Sequence, residues 1–307
     1  MKRIDTLEPL SPDLKGAVVT IGNFDGVHAG HRQIFAKVLA DARRCGGPAV
    51  VMTFEPHPKQ VLHPERRPFY LITTLGEKLR LIEAAGMDAA WVIPFSPEFA
   101  ARPASAFVED FLCRALAIRK VTIGHDYTFG RGREGNEAFL KAKGEALGFA
   151  VEVVNAYRIG ETIISSTAIR EAILAGEVSR AAAMLGRPYN LAGRVVEGHR
   201  RGAGLGFPTA NLDPEKVLLP ARGVYAVRGA VSGRSYAGVL NIGENPTFGD
   251  GRQTVEVHLL DFAGDLYGAP LEVQFIERLR GEVKFSGPDA LVAQIRKDVE
   301  RARRILA

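Results

Sequence analysis

His28 and His31 stand three residues apart at the end of Val18 to His31, VVTIGNFDGVHAGH, where an apolar run gives way to glycines, an aspartate and the two imidazoles. A neutral imidazole donates one hydrogen bond and an imidazolium two, and either stabilises charge that grows on a phosphate during displacement. Gly22, Gly26 and Gly30 permit close backbone approach, and a helix beginning near His28 offers unpaired N–H groups and a partial positive charge. The chemistry this suits is a phosphate seat. The same spacing also fits a capped helix with two surface histidines, or a metal pair; the strand, glycines and aspartate ahead of it favour phosphate.

Further stretches carry groups of the same kind. In Ile164 to Arg170, ISSTAIR, the hydroxyls of Ser165, Ser166 and Thr167 can cap a helix start with Arg170 about one turn in. In Gly124 to Asn136, GHDYTFGRGREGN, Tyr127 and Phe129 offer flat faces while Asp126, Arg131 and Arg133 offer polar contacts. In Arg200 to Leu212, RRGAGLGFPTANL, the Thr209 hydroxyl and the Asn211 amide oxygen put two hard oxygens beside a glycine loop, which suits MgATP. A polar turn would read the same way. Along Thr254 to Leu260, alternation sets Val255, Val257 and Leu259 on one face and Glu256 with His258 on the other.

The elements that must hold these groups follow from hydrophobic period. Val18 to Ile21, Ala49 to Phe54, Ala89 to Ile93 and Lys120 to Ile123 read as strands. Between them, Ile34, Phe35, Val38, Leu39 and Ala42 mark one helix face, and Thr74 with Glu77 makes a capping box for a second helix. A third helix follows Pro103, with Phe107, Phe111 and Ala115 along one face. Such alternation predicts an α/β domain with a parallel sheet, helices on both faces and ligands beyond the carboxyl ends of the strands. Beyond Leu185 the pattern changes to short alternating runs at 224–231, 236–242, 254–262 and 271–277, predicting a mostly antiparallel β-barrel. A final amphipathic helix carries Leu291, Ile295, Val299 and Ala302. The expected domains are residues 1–185 and 186–307.

On these motifs the chain is identified as a member of the bacterial bifunctional riboflavin kinase/FMN adenylyltransferase (FAD synthetase) family. GNFDGVHAGH resembles the HxGH signature of nucleotidyltransferases, and ISSTAIR the ISSTxxR motif that grips the ATP phosphates from the opposite side. GFPTANL, NIGENPTF (Asn241 to Phe248), VEVHLLDF and DLYG resemble the riboflavin kinase pattern. The resemblance implies a Rossmann-like nucleotidyltransferase domain followed by a riboflavin-kinase-like barrel. It implies phosphorylation of riboflavin by ATP to FMN, then adenylylation of FMN to FAD with release of pyrophosphate. By resemblance His28, His31 and Arg170 are catalytic in the second step, and Gly22, Asn23, Phe24, Gly30, Ser165, Ser166 and Thr167 bind ATP. His57, in a TFxPHP-like loop at Thr53 to Pro58, with Asp126 and Phe129, shapes the flavin nucleotide site. Thr209 and Asn211 hold Mg²⁺ with ATP, and Glu256 is the base for the ribityl hydroxyl. FMN and FAD are then products rather than prosthetic groups. In one place the chain departs from the pattern: Ala203 in Arg201-Gly202-Ala203-Gly204 stands where a second basic residue is usual, which implies weaker nucleotide binding or a substitute such as Arg200 rather than loss of chemistry.

Composition sets the outer limits. Among 307 residues, 46% are hydrophobic and 24% charged, with 33 glycines, as in a globular protein rich in turns. A net charge of +5 fits anionic small molecules, and no dense Lys/Arg run marks a nucleic-acid arm. Cys45 and Cys113 lack CxxC partners, so neither a disulfide framework nor a cysteine metal site is expected. No stretch approaches 18 apolar residues, so neither a membrane span nor a membrane partner is expected and the reading is cytoplasmic. Homo-oligomerisation is left open. The HxGH motif alone would also suit a class I aminoacyl-tRNA synthetase, against which stand the short chain and the kinase-like second half.

Overall fold

The computed structural model describes residues 1–7, 10–66, 68–198, 204–244 and 253–307. By packing, the chain divides into two compact units, one of residues 1–69 and 73–165, the other of 70–72 and 166–307. The Arg200–Ala203 departure and residues 245–248 of NIGENPTF lie outside the described residues.

The first unit holds strands β1 (Lys2–Ile4), β2 (Val18–Ile21), β3 (Ala49–Glu55), β4 (Ala89–Pro94), β5 (Lys120–Gly124) and β6 (Ala150–Val154). They form one sheet in the order β1-β4-β3-β2-β5-β6, every pair parallel. Strands covered on both faces read as near-continuous apolar runs, and β2 and β3 are buried almost throughout, with Thr20 and Thr53 their buried polar residues. Val19, Ile21, Val50, Met52, Trp91 and Ile123 point to one face, under Phe107, Phe111 and Leu140. Val18, Val51, Ala90 and Val92 point to the other, under helices α1 (Ala29–Cys45) and α3 (Leu75–Ala84), which contribute Ile34, Phe35, Val38, Leu79 and Ile82. The sheet grows from β2 toward β4 on one side and resumes at β5 on the other. The crevice at the carboxyl ends of β2 and β5 is therefore the topological switch point, where open α/β sheets bind ligands. The loops carrying His28 and Asp126 both leave the sheet there.

The helix expected after Pro103 differs in kind. It runs as one α turn at Ala104–Phe107 and then as a π-helix over Val108–Ala115. Phe107 and Phe111 nonetheless share a face, stacked 5.4 Å apart against the aromatic cluster under the sheet.

The second unit is a closed antiparallel barrel of β9 (Tyr189–Val196), β10 (Ala210–Pro214), β11 (Gly223–Val231), β12 (Arg234–Glu244), β13 (Gln253–Leu259) and β14 (Pro270–Arg280), in the order β10-β13-β12-β11-β14-β9. Closure leaves no unpaired edge strand. The C-terminal helix Pro288–Leu306 covers the outer face of β11 and β12, where Val224, Ala226 and Val239 meet Ala302 and Leu306. Asp298 on that helix is buried against Arg280 of β14, with contacts of 2.9 to 3.2 Å. Helices α7 (Ser166–Leu174) and α8 (Val178–Leu185) belong to this unit, α8 lying along β9 and β14 with Val178, Ala181, Met184 and Leu185 buried. The packing division thus precedes the change of sequence pattern near Leu185.

Candidate active sites

After Ile21 the chain turns sharply. Phe24, Gly26 and Val27 all have positive φ (49°, 84° and 40°), a strained conformation for phenylalanine and more so for β-branched valine. Long-range bonds hold the turn. Asp25, 3% exposed, accepts from the Thr73 backbone N–H and hydroxyl at 3.1 and 3.2 Å, and Gly26 N–H donates to that hydroxyl at 3.0 Å. The Phe24 ring lies over Gly22, where a Cβ would fall 3.0 Å from it, and packs edge-on against His31.

His28 is the N-cap of α1, and its Nδ1 accepts from His31 N–H at 3.3 Å. The two imidazoles stack, 3.5 Å between centroids and 20° apart, as their shared helix face requires. Gly30 makes room, since a Cβ there would lie 3.3 Å from the His28 ring. With Nδ1 of neutral His28 accepting, its proton sits on Nε2. His31 Nδ1 is buried without a partner, and burial, with His28 and Lys78 beside it, holds this imidazole well below the usual histidine range. A lone pair is cheaper to orphan than an N–H, so His31 also carries its proton on Nε2. No third His, Cys, Asp or Glu joins the pair in a metal cluster among the described residues.

The neighbouring loops are placed as follows. His57, buried, is the N-cap of a short helix, Pro58–Leu62; its Nδ1 accepts from Lys59 N–H at 3.1 Å, and its ring lies 4.7 Å from that of Phe69. Asp126 is exposed, while Tyr127 and Phe129 stack on each other at 5.6 Å. Phe129 also packs on Phe107 and Phe139 and lies over Gly135, so part of its surface is spent within the protein. Helix α7 starts at Ser166, with Ser165 and Ser166 half-buried and Thr167 exposed. Arg170 donates through Nε to the Tyr70 carbonyl at 2.6 Å, within the second unit.

In the barrel, Asn211 of β10 pairs with Glu256 of β13, and Glu256 pairs in turn with Asn241 of β12. Directly opposed residues share a side, with Cβ atoms about 5 Å apart, so the three form one transverse row. All three are half-buried, whereas Val255, Val257 and Leu259 are buried, as the alternation predicts. The Asn211 amide lies over Gly198, where a Cβ would fall 1.9 Å from Nδ2. Nδ1 of His258 donates to the Pro208 carbonyl at 2.7 Å and its ring meets Phe207 edge-on, which anchors the turn before Thr209. Thr209 and Asn211 line a cavity of about 480 Å³ with Val196, Glu197, Phe262 and Tyr267. A hydroxyl and an amide oxygen beside such a space are donors that a hard divalent cation accepts.

Sequence reasoning missed several of these groups. Lys78, 6% exposed, donates through Nζ to Asn23 O, Thr53 Oγ1 and Phe54 O. In the sequence it is one lysine in a helical stretch. Thr73 lies 48 residues from Asp25, Gly198 meets the Asn211 amide only in the fold, and Asn241 gains its place beside Glu256 only from strand register. A signal did exist for Gly198 in its place just ahead of the glycine-rich stretch.

Comparison with known proteins agrees with this architecture. Residues 10–168 match the family model described as FAD synthetase, and residues 185–306 the one described as riboflavin kinase. A bifunctional riboflavin kinase/FMN adenylyltransferase of Haemophilus influenzae is 38% identical over 304 residues, covering 99% of this chain and 98% of that protein. One of Escherichia coli is 40% identical over 290 residues, covering 94% and 92%. A crystal structure described as a macrolide-efflux protein from Streptococcus pneumoniae is 34% identical, with a TM-score of 0.90 and 99% of both chains covered. Among the described residues no helix is long and apolar enough to cross a membrane. With both halves matched and full-length relatives near 40% identity, the chain belongs to the bifunctional riboflavin kinase/FMN adenylyltransferase family.

Proposed function

We propose that this chain makes FAD in two steps, each in its own domain. Residues 186–307 transfer the γ-phosphate of ATP to riboflavin, and residues 1–185 transfer AMP from a second ATP to the FMN so formed, releasing pyrophosphate. The observation that carries this reading is the presence of two separate constellations. One is the stacked His28–His31 pair at the start of α1, by the switch point; the other is the Asn211–Glu256 pair on the barrel wall.

In the kinase step Glu256 orients the ribityl hydroxyl and accepts its proton as the phosphoryl group departs, most of the catalysis being positioning and charge stabilisation. Thr209 and Asn211 would hold Mg²⁺ with the ATP phosphates, where the ion neutralises developing charge. In the adenylyl step the nucleophile is the FMN phosphate, already ionised at pH 7, so no strong base is required. The Nε2–H groups of His28 and His31, with Arg170 and the Ser165–Thr167 hydroxyls, stabilise charge at the α-phosphate and on the departing pyrophosphate. The glycine turn at Gly22, Asn23 and Phe24, with Gly30, lets the ATP phosphates approach the helix N–H groups. His57, Asp126 and Phe129 border the flavin. Riboflavin, FMN and ATP are the partners in this reading, with no nucleic acid or membrane involved. The ATP dependence of both steps supports a cytoplasmic setting.

The test is a time course with purified protein, riboflavin, ATP and Mg²⁺, the flavins being separated by chromatography. FMN appearing before FAD is the expected result. No product from riboflavin or from supplied FMN would overturn the reading.

A further inference from the structure

Lys78 is an ammonium inside the protein, 6% exposed, on α3. Burying a charge costs several kcal/mol, so a chain that needed only to fill this space would place an apolar residue there. The acceptors show what the charge does. Lys78 Nζ donates to Asn23 O at 3.3 Å, in the turn that leads to His28 and His31. It donates to Thr53 Oγ1 at 3.0 Å and Phe54 O at 3.4 Å, at the end of β3, where the chain turns into the His57 loop. Thr53 Oγ1 itself donates to Asn23 O at 3.2 Å. An ammonium has three protons; all three have acceptors, and none is left for a phosphate oxygen.

We infer that Lys78 is a positioning residue for adenylyl transfer: its ammonium clamps the phosphate-side turn at Asn23 to the flavin-side loop after Thr53, fixing the distance between the groups that hold the two substrates. One helix therefore grips the His28 turn twice, through Thr73 just ahead of its N-terminus and through Lys78 one turn inside it. Burial holds the Lys78 ammonium below the usual lysine range, with Glu55 and Asp25 opposing that shift, and the charge in turn disfavours a cationic His31. The inference rests on the assignment of adenylyl transfer to the N-terminal domain.

The test compares full-length wild type, Lys78→Met and Thr53→Val in FMN adenylylation, in the reverse reaction of FAD with pyrophosphate, and in riboflavin phosphorylation. Misplacement by about 1 Å costs roughly 10²-fold in rate. Lys78→Met should therefore lower kcat in both adenylyl directions by about that factor, with KM for ATP and FMN within about threefold of wild type. Riboflavin phosphorylation should be unchanged. Thr53→Val, which removes one acceptor and keeps the volume, should lose about three- to tenfold in the same direction. That milder variant carries the test if Lys78→Met does not fold. Unchanged FAD formation in Lys78→Met would overturn the clamp. So would a KM for ATP that rises as far as kcat falls, which would mark a phosphate ligand, or a parallel loss of both activities, which would mark a purely structural lysine. Wild type that makes no FAD from FMN would instead overturn the assignment beneath it.

Discussion

The imidazole of His28 lies flat on that of His31, 3.5 Å between ring centres, while its Nδ1 takes the His31 backbone N–H. One residue therefore caps a helix and, in the proposed reaction, stabilises phosphate charge. Removing it has two separable costs.

His28→Ala should lower the adenylyl step by about 10²- to 10³-fold in kcat, the loss of one charge-stabilising donor. It should also cost about 1 kcal/mol of stability through the lost cap. His28→Asn should restore the cap and the stability without restoring the rate. Steady-state FAD formation and thermal melting of the two variants separate the effects, and FMN formation should stay at the wild-type rate.

The depressed His31 gives a pH dependence whose sign is set. Folded His31 resists protonation, whereas in the unfolded chain it titrates near 6.5. Below that value the unfolded state binds more protons, so stability is fully present above about pH 6.5 and falls as pH drops, by up to about 1.4 kcal/mol per unit. Denaturant titrations at pH 5.5 and 7.5 should show a steeper decline for wild type than for His31→Gln. Equal slopes would show that His31 titrates normally in the folded protein.

Glu256→Gln should reduce riboflavin phosphorylation by about 10²- to 10⁴-fold, the usual range for a lost general base. FAD formation from supplied FMN should persist. Joint loss of the two activities would contradict the assignment of one reaction to each domain.

Gly198→Ala tests the seat of the Asn211 amide. The added Cβ would fall 1.9 Å from Nδ2, so Asn211 must turn away. The kinase should need about tenfold or more ATP and divalent cation to saturate, as expected when an oxygen ligand is displaced. Adenylylation, in the other domain, reports whether the protein is intact.

Much of the fold was legible in the chain. Runs such as Val18–Ile21 and Ala49–Phe54, apolar but for Thr20 and Thr53, announce strands covered on both faces, and the Thr74–Glu77 capping box forms as predicted. The alternation of Val255, Val257 and Leu259 with Glu256 and His258 announces a barrel wall with one face inward. These signals are local because burial repeats with the period of the element. The His28 motif belongs with them, since a strand, a tight turn and a helix start are consecutive in sequence.

What the tertiary structure alone decided is which distant residues share a place. Period says that β13 has two faces; only register sets Glu256 between Asn211 and Asn241. Local pattern makes Lys78 an ordinary helical lysine; only the packing of α3 beside the sheet buries it against Asn23, Thr53 and Phe54. Ser166 to Leu185 reads as the tail of the first half, yet it groups with the barrel, α8 lying along β9 and β14 with α7 packed on α8. Hydrophobic period records that a side chain is buried and not what buries it. The partners are chosen by chain crossings and strand order, which no window of neighbouring residues contains.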